Sequence, residues 1–240
     1  MPQQSRGLDG VILKAWRGRD YPMTVTGSRR ITDHFLRLSF STGGLLADLP
    51  VHPTMWVRLW IPSGNRKVQQ RGFTLVDPDP GTDTSDIEFA LHDGCAATAW
   101  ARGAQPGDTI EATVLGTKFS WPEPAPEGYL IVGDTASLPA INTLLAGLNG
   151  TPARIWLEWQ HSEDRQLPVA ATEQTELTWV RRRDDGAGLL EAVEKEAFDA
   201  GGRHAWVACD TKTTRRMVGL LRGGYGLDRK SITSMGYWRP

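Results

Sequence analysis

Trp121-Pro-Glu-Pro-Ala-Pro-Glu-Gly-Tyr-Leu-Ile-Val-Gly-Asp-Thr-Ala-Ser-Leu-Pro-Ala-Ile141 is the stretch on which the organisation of this chain turns. Its opening, Trp121 to Pro126, alternates prolines with small or charged residues and reads as a connector. The domain boundary is placed there, giving domains 1–124 and 125–240. Tyr129-Leu-Ile-Val132 is then a compact apolar run suited to a buried strand, and Gly133-Asp134 ends it. A helix is predicted from about Leu138 to Leu148, with Pro139 in its first turn, where a missing N–H costs nothing.

Toward the C-terminus the strand–helix style continues. Ala153–Trp159, Leu177–Val180, His204–Cys209 and Ile232–Tyr237 read as strands. Helices are expected near Leu189–Phe198 and Lys212–Leu221. Such alternation predicts a parallel α/β sheet with ligands at the C-terminal ends of its strands.

Toward the N-terminus the reading is all-β. Met23–Thr26, Phe35–Phe40, Met55–Ile61, Phe73–Val76, Ile87–Leu91 and Thr109–Val114 mostly alternate apolar with polar residues. Turn residues punctuate them at Ser41–Gly44, Pro62–Asn65, Asp77–Gly81 and Pro106–Asp108. Evenly spaced short strands predict a small antiparallel barrel. The one helical exception is Ala96–Arg102, opened by His92-Asp93-Gly94.

Composition excludes several function classes. With 27 basic and 28 acidic residues the net charge is −1, so there is no electrostatic case for nucleic acid or an anionic membrane surface. Cys95 and Cys209 lack CxxC spacing and fit a reducing compartment. The five histidines show no ligand spacing, and no metal centre is expected. No apolar run approaches the roughly 20 residues a bilayer span needs, and the N-terminus has no signal-peptide core. A cytoplasmic protein is expected, with nothing requiring more than a monomer.

Candidate chemistry gathers at four places. Arg71-Gly-Phe-Thr74 puts a cation, a ring and a hydroxyl on extended backbone, a set able to hold a flavin: Arg71 for phosphate, Phe73 for packing, Thr74 for a flavin nitrogen. His92, Ala97 and Thr98 lie where a strand end meets a short helix, a second phosphate cradle. Asp134, Thr135 and Ser137 lie at the start of a helix, whose free amides favour a pyrophosphate, although an ordinary loop with Ser137 as N-cap fits as well. Arg181-Arg-Arg183 ends a strand and suits the 2′-phosphate of NADPH, or is a solvated run offset by Asp184-Asp185. No G-x-G-x-x-G, P-loop or nucleophile elbow is present.

Taken in order, these segments resemble the siderophore-interacting protein family, FAD-dependent ferric-siderophore reductases of ferredoxin-reductase-like fold. The resemblance runs from Arg6–Lys14 through Gln70–Thr74, Ala90–Asp93, Ala97–Ala101, Pro106–Asp108 and Gly128–Ala140 to Gly236–Arg239. It implies an FAD-binding barrel domain followed by an NAD(P)H domain, with NADPH or NADH as donor and a ferric siderophore as substrate. It further implies that Trp238 screens the flavin at a domain interface. Gly133-Asp-Thr-Ala-Ser-Leu-Pro139 is most similar to the branch fused to mycobacterial siderophore transporters, so a membrane transporter partner or fusion, at the inner face of the membrane, is implied as well. Phe73 stands where the family usually has tyrosine, and Leu75-Val76 replaces a second arginine, which implies a looser hold on FAD. Lys67, Lys118 and Arg239 match the family's siderophore-attracting residues by charge alone. The rival readings are a siderophore-docking module with little turnover and a flavin reductase serving a protein partner.

Overall fold

A computed structural model describes residues 18–63 and 67–239. The expected opening segment Arg6–Lys14 and the middle of the turn after Pro62 lie outside the described residues. The chain divides into two compact units, Met1–Phe119 and Ser120–Pro240.

The first unit is built on β1 (Arg19–Thr32), β2 (Phe35–Ser41), β3 (Trp56–Pro62), β4 (Val68–Thr74), β5 (Val76–Asp79), β6 (Thr84–Ala90) and β7 (Thr109–Val114). The short helix α1 (Leu45–Asp48) follows β2 and α2 (Ala96–Gly103) follows β6, so the expected helix at Ala96–Arg102 is not the one helical exception: α1 forms as well, with Leu45 and Leu46 buried in the core. The sheet order is β4-β3-β7-β1-β2-β6-β5, and its ladders are antiparallel. β4 also comes round against β6, where the Phe73 and Phe89 rings meet at 4.5 Å, so the sheet curls into a half-barrel. The alternation read in the sequence points Met23, Val25, Leu38, Phe40, Leu59 and Ile87 into one core. Each such side chain is worth about 1.5–3 kcal/mol when fully buried.

Two expectations are corrected here. Phe73–Val76 is not one strand: β4 starts at Val68 and ends at Thr74, Leu75 turns inward, and β5 pairs separately with β6. The break holds because the Leu75 N–H donates to the Met55 carbonyl at 2.9 Å while its side chain enters the core. Likewise Asp77-Pro-Asp-Pro-Gly81 is not all turn, because β5 runs to Asp79 as the edge strand of the sheet. An edge tolerates Pro78, which has no N–H to give, and the register shift between Val76 and Asp79 absorbs it.

The second unit contains β8 (Tyr129–Asp134), α3 (Leu138–Ala146), β9 (Ala153–Trp159), β10 (Thr175–Arg181), α4 (Ala187–Lys195), β11 (His204–Asp210), α5 (Thr211–Gly224) and β12 (Ile232–Trp238). Its sheet has the order β10-β9-β8-β11-β12, and all its ladders are parallel. β8 and β11 are buried along their whole length, as expected for central strands covered on both faces. Gly133 is required by close packing: a Cβ there would lie 2.4 Å from Ile141 Cδ1 and 2.5 Å from Ser137 Oγ. Among the described residues no helix is long and apolar enough to cross a membrane.

Candidate functional site

In the first unit β4 carries Arg71, Phe73 and Thr74. Arg71 is exposed, and its guanidinium donates to the Gln69 side-chain oxygen at 2.7 Å and the Gln70 carbonyl at 2.9 Å. Both partners are neutral, so the cation stays available to an anion. Phe73 is half-buried, packed on Phe89 and against the core that also holds Trp100 of α2. Thr74 is buried where β4 ends, opposite Trp56. Gly72, between Arg71 and Phe73, leaves room for Trp56, whose Cε3 would lie 3.3 Å from a Cβ.

The structure brings His92, Ala97 and Thr98 together at the start of α2. Thr98 is buried, and its hydroxyl oxygen accepts the His92 backbone N–H at 2.9 Å, which ties the loop to the helix. The α2 N-cap, Cys95, makes no side-chain capping bond, so the first-turn amides remain for an anion. His92 is exposed and Ala97 is buried. An exposed arginine with neutral partners, an aromatic face and a set of helix-end amides around one apolar cluster suit a phosphate-bearing planar cofactor such as FAD.

In the second unit the sequence candidates separate. Asp134 and Ser137 are buried and satisfy each other: the Ser137 N–H donates to Asp134 Oδ1 at 3.0 Å, and the Asp134 N–H donates to Ser137 Oγ at 2.9 Å. Asp134 Oδ2 accepts from Trp238 Nε1–H at 2.7 Å. These two side chains therefore build the loop, and Thr135 and Ala136, half-buried, are what it presents.

The arginine run splits three ways. Arg181 is exposed, its guanidinium 5.8 Å from the Trp159 ring centre, and Arg165 lies 5.0 Å from the same ring. Arg183 pairs with Glu191 at 2.9 Å on the surface. Arg182 turns inward to Glu158, with Asp210 at 3.6 Å and its guanidinium 5.0 Å from the Trp238 ring centre. The Asp184-Asp185 offset is not the arrangement found for Arg182 and Arg183: Arg182 pairs with Glu158 and Asp210 at the strand ends, and Arg183 with Glu191 on α4.

Glu158, Asp134 and Asp210 thus line the C-terminal ends of three adjacent strands, and Trp238 ends the fourth. Asp134 and Glu158 are paired in register. Burial raises the pKa of Asp134, against the Trp238 and Ser137 donors and the charge of Arg182. Burial likewise raises Glu158, opposed by Arg182 and reinforced by the negative charge of Asp134 and Asp210. Burial would raise Asp210 too, but the Thr213 hydroxyl, the Thr213 and Lys212 N–H groups and Arg182 hold it below the usual range. Burial also pushes the Cys209 thiol well up, helped by the same carboxylates, which leaves it no role as a nucleophile.

Sequence reasoning missed Glu158, Arg182 and Asp210 as members of one group. A signal was present: an acidic residue at or just before the end of an apolar strand occurs at Asp134, Glu158 and Asp210. Among the described residues no group of side chains could hold a metal ion.

Comparison with known proteins agrees with this architecture. The family model for the siderophore-interacting FAD-binding domain matches residues 23–115, and that for the siderophore-interacting protein matches residues 126–240. The chain is 33% identical over 239 residues to the mycobactin import ATP-binding/permease protein IrtA of Mycolicibacterium smegmatis, covering 98% of this chain and 27% of IrtA. The chain therefore spans about a quarter of that relative's length. A shorter match, 41% over 64 residues and 26% of the chain, is to the NADPH-dependent ferric-chelate reductase of Escherichia coli, 24% of which it covers. The crystal structure of a siderophore utilization protein from T. fusca superposes with a TM-score of 0.81 at 23% identity, covering 92% of this chain and 93% of that one. A ferredoxin NADP+ reductase from Neisseria gonorrhoeae with bound FAD and NADP gives 0.67 at 12% identity, covering 91% of this chain and 99% of that one. The fold is ferredoxin-reductase-like, and the chain belongs to the siderophore-interacting protein family.

Proposed function

We propose that this chain reduces siderophore-bound Fe(III), taking electrons from NADPH or NADH through FAD. The observation that carries the reading is Arg71, an exposed cation with neutral partners on the strand that also presents the Phe73 ring. Arg71 would grip an FAD phosphate through its fork of donors, Phe73 would pack on the cofactor, and Thr74 would bond near its reactive edge. The first-turn amides of α2, with His92, Ala97 and Thr98 around them, would hold phosphate. When bound, the flavin accepts a hydride and gives up electrons singly, as a two-electron donor and a one-electron acceptor require.

In the second unit Thr135, Ala136 and the first amides of α3 would hold the nicotinamide nucleotide's phosphates, over the frame that Asp134 and Ser137 make. Arg181 and Arg165, both beside Trp159, would take the 2′-phosphate of NADPH in place of the whole arginine run. No general acid or base is needed, because iron leaves once reduced: hard oxygen ligands hold Fe(II) less tightly than Fe(III). The likeness to IrtA supports a setting at the inner face of a membrane, beside or within a siderophore transporter.

The test is anaerobic mixing of the purified chain with NADPH, NADH and a ferric siderophore. The expected result is a yellow protein that bleaches with donor and recovers its colour as Fe(II) appears. A protein that binds the siderophore yet bleaches with neither donor overturns the reductase reading and leaves the docking module. Turnover only with an added redox protein identifies a flavin reductase. Substituting Arg181 with Ala should weaken NADPH binding far more than NADH binding; equal loss removes the 2′-phosphate assignment.

A further inference from the structure

Within the carboxylate cluster at the C-terminal edge of the parallel sheet, nearly every oxygen accepts a hydrogen bond. Asp134 takes donors from Ser137 and Trp238, and Asp210 takes them from Lys212 and Thr213. Glu158 Oε2 takes Arg182. Glu158 Oε1 alone is buried with no partner among the described residues. The donors hold Asp210 as a carboxylate; burial raises Asp134 as well as Glu158, but both Asp134 oxygens already accept hydrogen bonds, so the free oxygen of Glu158 is the one open to a proton.

The charge count points the same way. Three carboxylates face one guanidinium in a site where Glu158 and Asp210 side chains are 2% and 1% exposed. Like charges this close in a dry site cannot all ionise freely. Around Glu158 the charged or titratable groups are Asp134 on β8, Cys209 and Asp210 on β11, and Arg182 after β10. From α4, Glu191 is spent on Arg183 at the surface, and Lys212 on α5 is exposed.

Arg182 links Glu158 to Trp238. That guanidinium is pinned at one end by Glu158 and sits over the Trp238 indole, whose N–H is held by Asp134, while the Trp238 backbone carbonyl accepts from Thr211 Oγ1 at 2.9 Å. We propose that Glu158 is a proton-dependent positioning residue for Trp238. With Glu158 ionised, Arg182 is fixed over the ring. With Glu158 protonated, the guanidinium loses that anchor, turns toward Asp210, and releases the face of the indole. Acid therefore loosens the terminal ring and alkali clamps it.

The test reads the indole directly, by NMR of the full chain labelled at tryptophan, with the Trp238 resonance identified by its loss in Trp238→Phe. In the natural chain the Trp238 N–H resonance should move with one inflection above the ordinary glutamate range. In Glu158→Gln it should stay constant across the same range. An inflection retained in Glu158→Gln overturns the proposal, as does a flat natural profile in folded protein. If Glu158→Gln does not fold, the carboxyl carbon of Glu158 and the Trp238 indole are titrated in the natural chain: a shared midpoint supports the coupling, and separate midpoints overturn it. The measurement uses neither donor nor siderophore, so an inactive reductase leaves this inference standing, and its failure leaves the reductase reading untouched.

Discussion

Each half of this protein surrounds one arginine with three carboxylates, and the two groups are put to different use. In the half-barrel Arg37 on β2 reaches Glu88 at 2.6 Å, Asp77 at 3.1 Å and Asp86 at 3.2 Å. Glu88 is buried, but the Asp77 side chain is 75% exposed and Asp86 is partly so, and water shares the charge of those two. This group ties the edge strand β5 to β2 and β6, and the cost of gathering like charges is screened. In the α/β unit Arg182 holds Glu158 and Asp210 where almost no water reaches, at the sheet edge where a nucleotide would bind. The same residues in the same ratio therefore act as a fastening in one place and as a charge-sensitive frame in the other. Burial, not composition, makes the difference.

The sharpest way to break this comparison is to remove each arginine. Arg182→Met strands three buried carboxylates and should cost about 3–5 kcal/mol. Arg37→Met should cost about 1.5–3 kcal/mol, the range for hydrogen bonds to charged groups, since it strands one buried carboxylate, Glu88, while solvent can reach Asp77 and part of Asp86. Urea titrations that gave equal losses would erase the distinction.

Next in size is Gly133→Ala. The new methyl must displace Ile141 and the Ser137 hydroxyl that supports Asp134, at about 1–3 kcal/mol. A urea midpoint unchanged from the natural chain would show that the loop frame yields freely.

The pH dependence sharpens the contrast further. Glu158 has a raised folded-state pKa, so the folded chain binds the extra proton and stability falls as pH rises from the ordinary glutamate range through the raised value. Asp210 is depressed, so its contribution is present above the ordinary aspartate range and is lost as pH falls through its lowered value. Glu158→Gln should reduce the first slope, to which Asp134 and Glu88, also raised by burial, contribute as well; one full proton is worth about 1.4 kcal/mol per pH unit. Denaturation at a series of pH values checks this, and a slope unchanged in the variant would show that the proton lies elsewhere.

The smallest stability effect belongs to Arg71, an exposed arginine whose hydrogen-bond partners are neutral. Arg71→Ala should stay within about 0.5 kcal/mol in a thermal melt while the yellow colour of the purified protein fades. A large loss of stability with colour intact would place Arg71 among the fastenings instead.

Much of the fold was legible because periodicity is a local property. The alternation of Phe35–Phe40 and the unbroken apolar run Tyr129–Val132 each had one reading, and β2 and β8 follow them. The break at Leu75 was not legible. Its cause is a hydrogen bond to Met55, a residue far away in sequence, and Pro78 is admissible only because β5 proves to be an edge. The candidate site was half legible. Arg71, Phe73 and Thr74 adjoin on one strand, and Asp134 with Ser137 on one loop. Glu158, Arg182 and Asp210 come from three separate segments, and sequence distance hid them.

By itself the sequence determined two folding units of different class and most of the strands and helices within them, and it pointed to candidate residues for a phosphate-bearing planar cofactor. Those follow from side-chain pattern and local backbone preference, which need no partner. Only the tertiary structure decided which of three consecutive arginines turns inward, which carboxylate oxygen is left without a donor, and that Trp238 is held by Asp134. Such choices depend on desolvation and on charges brought together from distant segments, and these have values only once the chain is packed.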